Sequence, residues 1–220
     1  MNLHEFSGSQ VVCFENSPPL EGNPAFGDLS CSPRHGLDDR VVAGAGIYAI
    51  CFDSQLIYLG KFLGKRGNPA GGNIVDARWT KHLGTMTMRG RRVSVPQRTI
   101  DALLHAYPAH PVATGIRNAD ADVVSRDRGC VSSVNRARFA VRHWEALSAF
   151  NRETLDRFQF LYGQVQSQDR VESHLRREVS ALESRLVKQM RPCCNGHVDA
   201  DAAGRFSLEE TRRVLQHVIH

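Results

Sequence analysis

The stretch VVAGAGIYAICF at 41–52, followed by Asp53-Ser54 and then QLIYLGKF at 55–62, decides the fold. Both runs are apolar and rich in β-branched and aromatic residues. A polar pair divides them, which is the pattern of a β-hairpin. KRGNPAGGN at 65–73 reads as a Gly-rich loop. IVDARWTKHL at 74–83 has helical spacing, with Ile74, Ala77, Arg78 and Lys81 each within about one turn of the next. Arg78 and His82 are four apart, so a helix here stacks them on one face.

Further along, TIDALLHAY at 99–107 and RFAVRHWEALSAF at 138–150 look helical, and AYPAHPVATG at 106–115 reads as a turn. RFQFLYGQV at 157–165 reads as a third strand. Val171, Leu175, Val179, Leu182, Leu186 and Met190 recur at helical spacing over 169–191, and Pro192 stops that helix. SLEE at 207–210 is a capping-box pattern, so a short last helix starts at Ser207. Residues 1–40 are rich in Gly, Pro, Ser and Asn with little periodicity, the pattern of an irregular arm. The chain thus divides into the arm (1–40), a main domain (41–198) with an Arg-rich insert (85–155), and a C-terminal loop and helix (199–220).

Composition narrows the function classes. The 220 residues carry a net charge of +5, and 24 of the 28 basic residues are Arg. Arg presents a planar fork of donors that suits phosphates and guanine edges. No run approaches ~18 apolar residues, which argues against a membrane span. The N-terminus has no basic region followed by an apolar run, and the six cysteines form no C-x-x-C pair. Both features point to the cytoplasm. Cys193, Cys194 and His197 form a weak candidate metal set, because their spacing is not a standard one.

GIY at 46–48 and YLG at 58–60 resemble the paired motifs of the GIY-YIG nuclease family, with Leu59 in place of Ile. The Arg78–His82 spacing matches nuclease members of that family. LESRLVKQMRPCCN at 182–195 resembles the family's closing pattern, with Glu183 and Asn195 twelve apart. The order hairpin, Arg helix, strand, Glu helix matches as well. The resemblance covers about 44–84 and 156–195. It implies an α+β fold: a small three-stranded, mainly antiparallel sheet flanked by helices, with a helical insert. It also implies a metal-dependent DNA endonuclease.

The resemblance assigns roles that phosphodiester chemistry explains. Hydrolysis needs an activated water, a stabiliser for phosphoryl charge and help for the leaving oxygen. Tyr48 is the candidate general base, provided that a nearby cation or second base lowers its reference pKa near 10. Tyr58 positions water or phosphate. Arg78 holds the scissile phosphate, and His82 relays the proton from Tyr48 or touches the phosphate. Glu183 binds one divalent ion, Mg²⁺ or another such as Mn²⁺. Gly46, Gly60, Lys61 and Asn195 support the site.

The insert carries eleven Arg against six acidic residues. Arg89, Arg91 and Arg92 at its start, and Arg136, Arg138 and Arg142 on or near a helix, are the candidate DNA-binding residues. The leading expectation is a type II-like restriction enzyme cutting double-stranded DNA, with a homodimer as the arrangement that suits a palindromic site. A structure-specific repair or recombination nuclease and a catalytically inactive DNA-binding protein are the alternatives. DADAAGRFSLEE at 199–210 resembles a calcium loop through Asp199, Asp201, Gly204, Ser207 and Glu210. Ala203 stands where an oxygen ligand is needed, so a loop capping the final helix is preferred.

Overall fold

The computed structural model describes residues 2–16, 29–90, 93–121, 124–126, 131–165, 171–196 and 205–219. Arg91, Arg92, Cys130, His197 and positions 199–204, with Asp199, Asp201, Ala203 and Gly204, lie outside the described residues. The chain is α+β: the main sheet pairs antiparallel and has helices on both faces, and a separate two-residue strand pair is parallel.

The chain order is β1 (Leu3–Ser7), α1 (Gly8–Val11), β2 (Val12–Asn16), β3 (Leu29–Pro33), α2 (Asp39–Val42), β4 (Ala45–Phe52) and β5 (Gln55–Leu63). A π-turn (Val75–Trp79) then runs into α3 (Thr80–Met86). The insert holds β6 (Val93–Ser94), α4 (Gln97–Ala106), α5 (Pro111–Asn118), β7 (Val124–Ser125), α6 (Val131–Arg142), α7 (Trp144–Ser148) and α8 (Arg152–Asp156). β8 (Phe158–Gln164), α9 (Glu172–Met190) and α10 (Leu208–Ile219) complete it.

β4 is buried at every position, as a continuous apolar run requires when both sheet faces are covered. Asp53 and Ser54 both adopt positive φ, the primed-turn geometry whose twist matches the flanking strands. Alternation along the hairpin then sorts its side chains. Tyr48, Ile50, Phe52, Ile57 and Phe62 join one core with Trp79, Leu83 and the insert helices. Ala45, Ile47, Ala49, Leu56 and Leu59 join the other, under α9 and α10.

The sheet has four strands in the order β1-β8-β4-β5, which corrects the expectation of three. The fourth comes from the segment read as an irregular arm. LHEFS pairs antiparallel with β8, Leu3 opposite Gly163 and Ser7 opposite Gln159. Phe6 packs on Trp79 with ring centroids 5.9 Å apart. A five-residue strand carries little periodicity of its own, and its stability comes from a partner over 150 residues away. The turn expected over 106–115 is shorter than read. Pro111 opens α5, where a fixed φ and a missing N–H cost nothing, and the His110 ring accepts the Val112 N–H.

α9 ends at Met190 with Arg191 in the left-handed region, and Pro192 follows. The Ser207–Glu210 pair closes a capping box on α10: the Ser207 N–H donates to the Glu210 carboxylate at 2.8 Å, and the Glu210 N–H donates to Ser207 Oγ at 3.2 Å.

Candidate functional site

The hairpin builds one wall of the site. Tyr48 on β4 stands opposite Gly60 on β5. A Cβ at Gly60 would come within 2.5 Å of the Tyr48 ring carbon Cζ and its hydroxyl oxygen. Glycine at 60 therefore gives the phenol room to lie flat across the neighbouring strand. Gly46 has a similar reason: a Cβ there would collide with the Gly163 carbonyl and the Tyr162 ring.

The helix after the loop supplies the second wall. The Tyr48 hydroxyl lies 2.6 Å from His82 Nε2 in a buried hydrogen bond. The Tyr58 and His82 rings are 4.5 Å apart, and the two phenol rings 6.0 Å. Tyr48 and His82 are 2% and 8% exposed, whereas Tyr58 is half-buried. Arg78 sits in the π-turn, one wide turn before His82, and is exposed. The two are thus placed differently: the histidine inside, the guanidinium at the rim.

Burial dominates the electrostatics here. It holds the Tyr48 phenol well above its ordinary value; Tyr58 adds to this, and Arg78 and Arg136 pull the other way without prevailing. That corrects the expectation of a lowered Tyr48 pKa. Burial, then Arg136 and then Arg78 hold His82 well below its ordinary value, so the ring is neutral. Burial also raises Tyr58, opposed most strongly by Arg136, while Glu183 adds to the rise. Tyr58 is thus the group that feels Tyr48, Arg78 and Glu183 together, whereas Glu183 is not among the charges acting on Tyr48.

Glu183 approaches from α9, on the other face of the sheet. Its carboxylate accepts from Lys61 Nζ at 2.9 Å, and both side chains remain partly solvated. No three His, Cys, Asp or Glu side chains gather into a metal site among the described residues. Among the described residues Glu183 is the carboxylate acting on Tyr58, and a single carboxylate fits Mg²⁺, which takes one or two and keeps several waters.

Asn195 braces the edge strand. Its carboxamide accepts the Leu59 N–H at 2.8 Å and donates to the Leu59 carbonyl at 2.7 Å. Those backbone groups point away from β4, where a further strand would pair, and the side chain stands in for it. The Cys194 N–H extends the brace to the Ile57 carbonyl at 2.8 Å. Cys193 and Cys194 face each other with sulfurs 3.9 Å apart.

The basic residues divide. Arg89 is a correction: at 6% exposed it turns inward, and its Nη1 donates to the Leu147 and Ser148 carbonyls at 3.1 and 3.0 Å. Placing those carbonyls at the end of α7 is work for a guanidinium, and it removes Arg89 from the DNA-facing set. Arg138 is half-buried and Arg142 exposed. Arg136 lies in the phenol cluster, its Cζ 5.2 Å from the Tyr58 ring centroid.

Asn135 was not singled out from the sequence. Its Nδ2 donates to the Asn195 carbonyl at 2.7 Å, tying α6 to the brace. Nothing in an Asn within VSSVNRARF announces such a bond across 60 residues. No helix among the described residues is long and apolar enough to cross a membrane. Comparison of the chain with protein-family models, curated proteins and solved structures finds no match.

Proposed function

We propose that this chain is a metal-dependent endonuclease acting on double-stranded DNA, with the phenol cluster as its active site. The observation that carries the reading is the 2.6 Å bond between Tyr48 and a neutral, buried His82, beside two guanidiniums and one carboxylate. A proton acceptor, phosphate-binding cations and a hard oxygen ligand are what phosphodiester hydrolysis requires. The resemblance to GIY-YIG nucleases supports it.

Raised phenol pKa values make a free phenolate base costly. The proton of the attacking water therefore passes to the phenol pair as Tyr48 hands its own proton to His82 Nε2. Tyr58, the more exposed phenol, orients that water. Arg78, exposed at the rim, binds the phosphate and offsets the charge that develops on its oxygens. Glu183 would hold a divalent ion such as Mg²⁺ or Mn²⁺, which when bound would supply positive charge to the phosphate and the leaving 3′ oxygen. Lys61, already on Glu183, holds that carboxylate toward β5.

Within this class a sequence-specific, type II-like restriction enzyme is the leading form, and a homodimer suits a palindromic site. Incubation with supercoiled plasmid of known sequence and Mg²⁺ tests it. Discrete fragments with defined ends are expected. Cutting confined to forks or flaps selects a repair nuclease instead. DNA retention without any cleavage, in Mg²⁺ or Mn²⁺, overturns the enzyme and leaves a DNA-binding protein.

A further inference from the structure

The insert helix α6 reaches the site with two consecutive side chains. Asn135 bonds the Asn195 carbonyl at 2.7 Å, and Asn195 in turn pairs with Leu59, the residue between Tyr58 and Gly60. Arg136 lies over the Tyr58 ring at 5.2 Å and donates from Nη1 to Thr85 Oγ1 on α3 at 3.1 Å. Its Nε is buried with no hydrogen-bond partner among the described residues. A guanidinium fixed between α3 and an aromatic face is held in one place, unlike a cation on a solvated surface.

We propose that Arg136 is a positioning residue of the phenol cluster, a guanidinium that the insert delivers onto the Tyr58 ring and anchors on Thr85 of α3. This rests on the nuclease reading of the same site. Tyr48 from β4, Tyr58 from β5, Arg78 from the π-turn and Arg136 from α6 surround His82. Tyr58 meets Tyr48, Arg78 and Arg136, with Glu183 from α9. Of the cations, Arg136 acts most strongly on both His82 and Tyr58. It keeps the imidazole free to take the proton from Tyr48, and it favours the ionised form of Tyr58. Its role thus differs from that of Arg138 and Arg142 on the same helix, neither of which is among the charges acting on these two groups.

The test is R136Q, with R136K as the charge-conserving control. His82 is titrated by NMR in the folded proteins, and cleavage is measured against pH. In R136Q the His82 pKa is expected to rise and the acidic limb of the rate profile to move to higher pH. The rate on the acid side then falls roughly tenfold relative to the alkaline side. R136K returns both toward the parent. T85A, which cuts the tether but leaves the charge, shifts both in the same direction by less, and it serves if R136Q does not fold. An unchanged His82 titration in a folded R136Q, or a loss of rate equal at every pH, overturns the proposal. If the parent cuts no DNA, the nuclease reading fails, while the His82 titration still decides the role of Arg136.

Discussion

The two faces of the sheet meet the edge strand β5 under different conditions. On one face Tyr48 and His82 are almost dry, tilted against the Tyr58 ring and packed beneath the insert. On the other, Lys61 and Glu183 pair at a rim that keeps 32% and 21% of their side-chain surface exposed. Tyr58 and Lys61, three positions apart on β5, point to opposite faces. The difference matches the role proposed for each group. Groups that pass a proton stay neutral at rest, and burial enforces neutrality. Groups that hold ions stay charged, and charge needs water or a partner. On the proposed reading, metal binding falls on the solvated side of this strand and proton transfer on the dry side.

That contrast breaks most visibly at Glu183. E183A is expected to lower Mg²⁺-dependent cleavage by about a thousandfold or more, roughly 4 kcal/mol of barrier, while the thermal midpoint barely moves. A solvated pair such as Lys61–Glu183 contributes about 0–1 kcal/mol to stability. Plasmid cleavage and calorimetry read the two effects separately. A large drop in midpoint with activity retained would place Glu183 on the structural side.

Y48F probes the dry side, where activity and stability fall together. Losing the hydroxyl strands His82 Nε2 in a buried position, costing about 1–3 kcal/mol. Cleavage should drop about a hundredfold, the lower end for a lost proton-transfer group. G60A acts on the same phenol from beneath. A Cβ 2.5 Å from the Tyr48 hydroxyl forces the ring to move, with an expected loss of about 1–3 kcal/mol by denaturant titration. Wild-type stability with G60A would show that the phenol has other room.

The smallest effect is in pH. His82 has a lower pKa folded than unfolded, so below about pH 6.5 the unfolded chain binds the extra proton. Stability is full above that value and falls as the pH drops below it, by at most ~1.4 kcal/mol per unit. H82Q should flatten that slope, and equal slopes in parent and variant would mean that His82 is not held neutral.

The sequence makes these regions legible to different degrees. The hairpin is readable because alternation, a two-residue turn and the glycine opposite Tyr48 are all local. Glu183 comes from the C-terminal half of a strongly periodic helix and Asn195 from the segment after it, so their positions follow once the helix is drawn. The insert resists. Arg89 and Arg136 look alike as members of an Arg-rich stretch, yet one props α7 and the other covers Tyr58. Their fates depend on contacts 58 and 51 residues away, with Leu147 and Thr85 respectively. β1 hides for the same reason: its pairing with β8 is wholly non-local.

The most direct test of the central claim, that both sides of β5 act on one phosphate, is where a metal sits. Mn²⁺ is added to the chain bound to a duplex made resistant to cleavage by phosphorothioate linkages, and NMR line broadening is followed by residue. Broadening first at Tyr58, Gly60 and Lys61, abolished in E183Q, is the predicted result. Broadening that spares β5, or that persists unchanged in E183Q, would contradict it.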